Sequence, residues 1–473
     1  MQKYDLIVIG GGSGLDVATS AAQRGLKVAI IERDRLGGTC LNKGCIPSKL
    51  LIHSADVLET IKQAAKFGIV IPEYRIEFRK IVQRVKSFTD HESDEIRNAL
   101  ADINNPKLFS KECKFIGPKM IRLFDKSNDN HGDSDNEADI MTGDKILIAV
   151  GSRPRIPPII GLEKTDYLTS DQALRLEQQP STLTIVGGGY IACEMAHFFG
   201  TLGTKINIVQ LNDVLLPNED EDISQNFTKV FSKKYNVYLG YKTEKVSEFD
   251  DDNTHKKFYI QAQKNSGSLE LTSDQLLVAA GRIPNSDTLN LDKTGVEVDE
   301  KGNIKTNMYL ETNIDGIFAL GDVVGRYLFK HSANHEAKFA YNNIIHHDKI
   351  PVDYTAMPHA IFTSPQIAGV GFTEQELRNQ NQISYVKSIY SFINTAMGKA
   401  IEDQDGFVKF LIDKESKKIL GCHIIGSCAS ILIHEVLVAM MSDNGNGTID
   451  RIMETIHVHP ALPEVVARAA AEF

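Results

Sequence analysis

A chain of 473 residues that is 42% hydrophobic and 24% charged, with 35 glycines, has the size and composition of a globular α/β protein of about three domains. Its net charge of −10 argues against nucleic acid or an anionic membrane surface as the main partner, and no run approaches the roughly 20 apolar residues of a membrane span. Six cysteines in this length do not make a secreted disulfide framework. Because Met1-Gln2-Lys3-Tyr4-Asp5 leads at once into a strand pattern, no signal peptide and a cytoplasmic location are expected.

The first predicted elements are an apolar run, Leu6-Ile7-Val8-Ile9, the turn Gly10-Gly11-Gly12-Ser13-Gly14, an Ala-rich segment to Gly25, and Val28-Ala29-Ile30-Ile31-Glu32. Strand, turn, helix, strand is the opening of a doubly wound nucleotide-binding fold. Gly10 and Gly12 fit the GxGxxG fingerprint, but Leu15 holds the third glycine position, with Gly14 just before it. The third glycine serves close helix–strand packing, so packing rather than phosphate approach is expected to change. Glu32, twenty residues after Gly12, is the expected acceptor for a ribose hydroxyl.

Next comes Gly37-Gly38-Thr39-Cys40-Leu41-Asn42-Lys43-Gly44-Cys45-Ile46-Pro47-Ser48-Lys49. On a regular helix, residues five apart have Cα atoms roughly 8.6 Å from each other, whereas a disulfide needs less than about 7 Å. A Cys40–Cys45 bridge therefore requires a distorted turn, which Gly37, Gly38, Gly44 and Pro47 permit. The pair reads as a redox-active dithiol, the alternative being two unrelated buried cysteines. Cys113, Cys193, Cys422 and Cys428 have no such setting and read as structural, the alternative being Cys422 and Cys428 as a second pair, which no glycine-rich context supports.

Residues 54–100 have helical period and predict long helices after the dithiol. The polar, acidic stretch from Asp125 to Asp139 predicts a solvated loop or hairpin tip. The opening grammar then returns at Leu183-Thr184-Ile185-Val186, Gly187-Gly188-Gly189, a helix to about Leu202, and Lys205 to Gln210. Two such units imply two dinucleotides, one pyrophosphate for each helix N-terminus. Ala192 is an allowed third residue of the second fingerprint. Gln210 stands where an acidic residue would select NADH; it does not repel a phosphate, yet no Arg follows closely to clamp one. NADH is favoured and NADP(H) stays open. From Pro351 the pattern shifts to strands at 361–363, 408–412 and 419–421 and helices at about 427–442 and 460–470, a third, α+β domain.

The block from Gly37 to Lys49 resembles the GGTCLNxGCIPSK signature of the pyridine nucleotide-disulfide oxidoreductase flavoenzymes, the family of dihydrolipoamide dehydrogenase, glutathione reductase, mycothione reductase and mercuric reductase. Ile148-Ala149-Val150-Gly151 and Val278-Ala279-Ala280-Gly281-Arg282 resemble its domain-crossover motifs, Ile317 to Asp322 its second FAD motif, and Ile456-His457-Val458-His459-Pro460-Ala461-Leu462-Pro463-Glu464 its HxHPxxxE motif. The resemblance implies two Rossmann-like domains and an α+β dimerisation domain. Their expected extents are 1–155 with 280–350 for FAD, 156–279 for NAD(P) and 351–473 for the interface. FAD contacts are then expected from Gly10, Gly12, Gly14, Glu32, Gly38, Thr39, Lys49, Gly151 and Asp322. Nicotinamide-dinucleotide contacts are expected from Gly187, Gly189, Tyr190, Glu194, Gln210 and Gly281. By the same resemblance Cys45 faces the flavin and Cys40 is the interchange thiol. Lys49 lies by the flavin and pairs with Glu194, and Tyr190 gates the nicotinamide pocket. His459, oriented by Glu464 and supported by His457, is the acid–base of the other subunit of a homodimer.

The substrate is narrowed in part. The ending Ala469-Ala470-Ala471-Glu472-Phe473 lacks the extra cysteine pair of mercuric and high-molecular-weight thioredoxin reductases, and the presence of both Cys40 and Cys45 disfavours the soluble transhydrogenases. The dithiol and HxHP text is most similar to dihydrolipoamide dehydrogenases, with Lys43 in place of their usual valine. Leu328 to Ala337, Phe362 to Ala368 and Ala461 to Val466 look more like mycothione reductases. The expected activity is therefore NAD-linked oxidation of dihydrolipoamide, free or on the lipoyl domain of a 2-oxoacid dehydrogenase complex. A low-molecular-weight disulfide reductase is the runner-up, and an electron-transfer flavoprotein without disulfide turnover stays open. No metal is expected.

Overall fold

The computed structural model describes residues 1–473 apart from 126–138, 251–255, 266, 347 and 381–382, so almost all of the expected acidic loop lies outside the described residues. The chain divides into two compact units, one of residues 1–48, 82–155 and 281–353, the other of residues 49–81, 156–280 and 354–473.

In the first unit Gln2–Ile9 is the centre of a seven-stranded sheet, parallel to Val28–Ile31 on one side and Ile140–Ile148 on the other. Lys107–Phe109 extends it beyond Val28–Ile31, and Ile317–Ala319 pairs with Ile140–Ile148. Met120–Phe124 and Glu112–Gly117 continue it in antiparallel fashion. A strand covered on both faces reads as an unbroken apolar run, and Leu6, Ile7, Val8 and Ile9 are all buried. Alternation then sorts them. Leu6 and Val8 pack with Val17, Ala18 and Ala21 of the helix Gly14–Gln23, while Ile7 and Ile9 pack with Phe115, Ile121 and Ile304 on the other face. Truncating Leu6 to alanine removes a fully buried side chain and should cost about 2–5 kcal/mol in denaturant unfolding of that unit; a cost under about 1 kcal/mol would mean the sheet centre is not packed as described.

The third glycine of the fingerprint is displaced, not lost. The first helix begins at Gly14, and a Cβ there would come 2.7 Å from Val8 Cγ1. Gly14 therefore gives the close helix–strand approach that Leu15, one residue on, cannot give.

The second unit carries a four-stranded parallel sheet in the order 236–239, 205–210, 182–186, 275–278. A three-stranded antiparallel sheet of Lys242–Asp250, Lys256–Lys264 and Gly267–Ser273 accompanies it. Its last part is a five-stranded antiparallel sheet: Pro358–Ile361, Gln366–Gly371, Ile419–Gly426, Phe407–Asp413 and Tyr385–Ser391 in spatial order. Side chains of the helices Ala429–Gly445 and Glu464–Ala471 share its core, with Leu432, Val436, Val465 and Ala469 beside Phe410 and Ile424.

The strand expected at 361–363 ends at Ile361, and two further boundaries differ from expectation for local reasons. The long helical stretch is interrupted: Cys45–Gln63 and Phe78–Ala101 are helices, but Gly68 at φ 77 ends the turn between them and Pro72 follows. The expected helix at 460–470 starts only at Glu464, because Pro460 and Pro463 cannot lie inside it. Among the described residues no helix is long and apolar enough to cross a membrane.

A buried charge cluster lies within the second unit. The Lys409 ammonium, on Phe407–Asp413, is fully buried and donates to Asp220 at 2.8 Å, Asp222 at 2.6 Å and Glu374 at 2.6 Å. Burial alone would raise the Glu374 carboxyl, but hydrogen bonds from Lys409 and Lys387 outweigh it and hold it below the usual range. Its stabilisation is thus present above the ordinary carboxylate pKa and is lost as pH falls through the depressed one. Lys409→Met, which strands buried carboxylates, should destabilise by about 3–5 kcal/mol at neutral pH. Urea unfolding at pH 7 and pH 4 should show the penalty shrinking in acid; a penalty independent of pH would contradict the ion-pair account.

Candidate redox site

In the first unit the glycine turn is shaped by backbone contacts that only glycine allows. Gly10 sits at φ 113 with its N–H on Ile31 O at 2.9 Å, and a Cβ there would collide with the Ala149 carbonyl. Gly37 and Gly38, at φ 94 and 64, bring the dithiol segment back onto this turn. Gly37 N–H bonds Gly11 O at 2.8 Å, and a Cβ on Gly38 would lie 2.8 Å from Gly12 Cα. A Cβ on Gly12 would meet nothing but Gly38 Cα, at 3.8 Å, so a cradle stays open at the start of the helix Gly14–Gln23. Ser13, the N-cap, makes no side-chain bond to the helix N–H groups, which leaves them for an anion. The Glu32 carboxylate accepts from Gly11 N–H at 2.6 Å and Asp34 N–H at 2.7 Å. This turn fits the pyrophosphate and ribose of a dinucleotide.

Asp322 lies in the same unit. It accepts from Ser152 Oγ at 2.6 Å, which in turn accepts from Arg282 Nε at 2.8 Å. Gly321 N–H is held by the buried Glu336 carboxylate at 2.6 Å. Gly151 and Gly281, at φ 64 and 105, would each meet nothing within 4 Å if given a Cβ. Arg155 N–H bonds Gly281 O at 2.9 Å, so Gly281 falls in the first unit, apart from the chain segment 156–280.

The expected distortion between the cysteines is a break at Gly44. The short helix Gly38–Lys43 stops there, at φ −149 and ψ −115, and Cys45–Gln63 begins with the next residue. Pro47 lies in the first turn of the new helix, where its missing N–H costs nothing; Gly44 makes the bend. Asn42 ties the segment down from inside, its Nδ2 donating to Leu36 O at 2.9 Å and Gly38 O at 3.1 Å, while Ser93 Oγ donates to the same Leu36 O at 2.8 Å. Cys45 is exposed and Cys40 half-buried. A hydrogen bond between their side chains, and then burial, push the Cys40 thiol up from its ordinary value; the Lys330 ammonium and Ile46 N–H oppose this. Cys113, Cys193 and Cys422 are buried, and burial pushes all three thiols up, Cys113 to about 12, the setting of inert cysteines.

In the second unit the first turn is repeated almost atom for atom. Gly187 sits at φ 116 with its N–H on Val209 O at 2.9 Å, and a Cβ there would collide with the Ala279 carbonyl. Gly189 would meet nothing within 4 Å, so a second cradle opens at the helix Tyr190–Thr201. The repeat fails at Gln210. Where Glu32 bonds the glycine turn, Gln210 is 6% exposed and spends its amide on its own loop, accepting from Leu211 N–H at 3.1 Å and donating to Val214 O at 3.3 Å.

The same unit joins Lys49 to Glu194, with Nζ 2.8 Å from each carboxylate oxygen. Glu194 is 4% exposed and also accepts from Phe362 N–H at 3.0 Å, and the ammonium stands 4.6 Å over the Phe362 ring. His197, one helical turn past Glu194 and fully buried, bonds Asp56 at 2.8 Å. A histidine in an apolar helix carries no sign of its partner, so this contact is not legible in the sequence. Tyr190, in the first turn of that helix, is exposed.

At the C-terminal end His459 Nδ1 bonds Glu464 Oε1 at 2.8 Å, and Ala461 N–H bonds the other oxygen at 3.2 Å. The His459 hydrogen bond, then the Ala461 N–H, hold the Glu464 carboxyl below the usual range. The His459 side chain is 72% exposed. His457 instead turns inward, with Nε2 3.3 Å from Glu435.

Comparison with known proteins agrees with this geometry. Residues 4–341 match the pyridine nucleotide-disulphide oxidoreductase family and residues 357–470 its dimerisation domain. The chain is 34% identical to the dihydrolipoyl dehydrogenase of Bacillus subtilis over 99% of its own length and 97% of that protein's. It is also 34% identical to the mycothione reductase of Mycobacterium tuberculosis over 99% of both chains. Among solved structures, the Cu(II) complex of the HOCl-induced flavoprotein disulfide reductase RclA from Escherichia coli superposes with a TM-score of 0.85, at 26% identity and over 100% of both chains. With two glycine cradles, a cysteine pair and these matches, the chain belongs to the pyridine nucleotide-disulphide oxidoreductases, flavoproteins that use FAD and a pyridine nucleotide.

Proposed function

We propose that this flavoprotein is a dihydrolipoyl dehydrogenase, oxidising dihydrolipoamide to lipoamide with NAD⁺ through Cys40 and Cys45. The observation that carries the thiol-exchange part of this reading is the cysteine pair set astride the Gly44 break, Cys45 exposed and Cys40 half-buried; the similarity to a dihydrolipoyl dehydrogenase over nearly the whole chain supports the substrate. The bound FAD would supply two-electron relay between nicotinamide and dithiol, held by Gly10, Gly12, Gly14, Glu32, Gly38, Thr39, Gly151 and Asp322, with Lys49 beside its ring. Gly187, Gly189, Tyr190 and Glu194 would hold the nicotinamide dinucleotide, and Gln210, spent on its own loop, leaves NADH the better fit. The domain extents 1–155 with 280–350, 156–279 and 351–473 are part of the same proposal.

The chain's own part is thiol exchange and proton handling. In the disulfide-reducing direction the Cys40 thiolate attacks one substrate sulfur, forming a mixed disulfide and expelling one thiolate. Cys45 then attacks Cys40 and expels the second, leaving the Cys40–Cys45 disulfide and two substrate thiols; dihydrolipoamide oxidation is the reverse. Since the Cys45 hydrogen bond and then burial both push the Cys40 thiol up, a base is required to take its proton. His459, oriented by Glu464, suits that task from a second subunit. Ile431, Val438, Ile456 and Val458 stand exposed within the family's dimerisation domain, apolar surface that a second copy would cover.

Equal identity to a mycothione reductase keeps a second reading in view, the reduction of a low-molecular-weight disulfide. Steady-state rates of the holoenzyme with NADH or NADPH and lipoamide, glutathione disulfide and other small disulfides decide between them. Preference for lipoamide with NADH supports the proposal; preference for another disulfide replaces it with the second reading.

A further inference from the structure

Lys330 is a cation in a place where local rules put none. It is the first residue of the helix Lys330–Ile345, whose first turn contains no acidic residue. The positive end of a helix disfavours a cation. Among the described residues no carboxylate lies within ion-pair distance to offset it. Its Nζ instead donates to Ser13 Oγ at 2.9 Å, and Ser13 Oγ donates on to Asn334 Oδ1 at 3.0 Å, one helical turn past Lys330. The hydroxyl is thus filled on both sides, and the ammonium is pinned at the end of the glycine turn. Gly12, next to Ser13, is the residue whose Cα meets Gly38, and Cys40 follows Gly38 by two residues. The fixed charge is thus anchored one residue from the Gly12–Gly38 contact, and its sign opposes the Cys45 hydrogen bond and the burial that push the Cys40 thiol up. A local rule broken without local compensation marks a functional position.

We propose that Lys330 is a positioning residue for the Cys40 thiolate: its ammonium, anchored on Ser13 and Asn334 beside the Gly12–Gly38 contact, supplies the fixed positive charge Cys40 needs once its proton has left. The inference rests on the dithiol reading of Cys40 and deepens it. Lys330 acts from its own chain and persists through the exchange cycle, whereas the His459 proton moves.

The test uses reduced holoenzyme carrying Cys45→Ser, so that Cys40 reports alone. Iodoacetamide alkylation of Cys40 is followed by peptide mapping from pH 5 to 10, with FAD content and circular dichroism as folding controls. Removing one unit charge near a half-buried thiol should slow alkylation at pH 7 by about three- to tenfold and raise the midpoint of the profile by about half a pH unit to one. Lys330→Met should show this, and Lys330→Arg should restore the profile to within about twofold. Lys330→Gln, which keeps a hydrogen bond to Ser13, gives the same reading if Met prevents folding. Met and Gln profiles superimposing on that of Lys330 would overturn the inference while leaving the dithiol reading intact. Cys40 resisting alkylation at every pH with Lys330 present would overturn both.

Discussion

Cys45→Ser should stop turnover while leaving the first half of the exchange intact. With Cys40 still present, the reduced variant opens a substrate disulfide and stops at the mixed disulfide, because no second cysteine can resolve it. Steady-state rate should fall by roughly 10⁴ or more, as when a covalent catalyst is removed. Intact-mass analysis after acid quench should show ring-opened lipoamide, or one half of an acyclic disulfide, attached to the chain. Cys40→Ser should lose turnover equally but carry no adduct, because in the proposed exchange Cys45, beyond the Gly44 break, attacks only Cys40. Adducts on both variants, or on neither, would mean that the two sulfurs do not divide the work in this way.

His459→Gln should lower kcat by about 10²–10⁴, the range for loss of a positioned acid–base group, with little change in KM. Glu464→Gln should cost less, about tenfold, because the imidazole survives but loses the 2.8 Å partner that fixes its ring. The pH dependence follows from the direction of the Glu464 shift. Its carboxyl is held below the usual range, so the orientation it provides is present above that depressed value and is lost as pH falls through it. In wild type that loss should therefore come at lower pH than an ordinary glutamate would give, and in Glu464→Gln it should vanish from the profile. Mixing His459→Gln with Cys40→Ser chains should restore part of the activity if the imidazole serves its neighbour's dithiol; no recovery in the mixed dimer would place both groups in one chain's site.

The features legible in the sequence are those in which chemistry admits few residue types. Gly10 and Gly187 could be read because a positive φ and a carbonyl against the Cα admit only glycine. The dithiol could be read because its spacing conflicts with a regular helix, and the break at Gly44 is that conflict resolved. What escaped was set by tertiary partners. Gly14 replaces the third glycine because the helix starts one residue earlier than the fingerprint implies. Asn42, His197 and Lys330 belong to residue types with many ordinary uses, and only the fold supplies their partners Leu36 O, Asp56 and Ser13. The strand Gln366–Gly371 holds two glycines and an alanine, too little apolar alternation to announce itself, and pairing with Pro358–Ile361 and Ile419–Gly426 makes it a strand. Gln210 departs from the acidic pattern in the sequence itself, but that its amide turns back on its own loop is set by the fold.

Thiol mapping of the air-oxidised holoenzyme before and after one equivalent of NADH, under nitrogen, bears most directly on whether reducing equivalents leave through the sulfur pair. Alkylation after denaturation should find Cys40 and Cys45 blocked at first and both labelled after NADH, with Cys113, Cys193, Cys422 and Cys428 labelled throughout. Bleaching of the flavin with no new label at Cys40 or Cys45 would contradict that route.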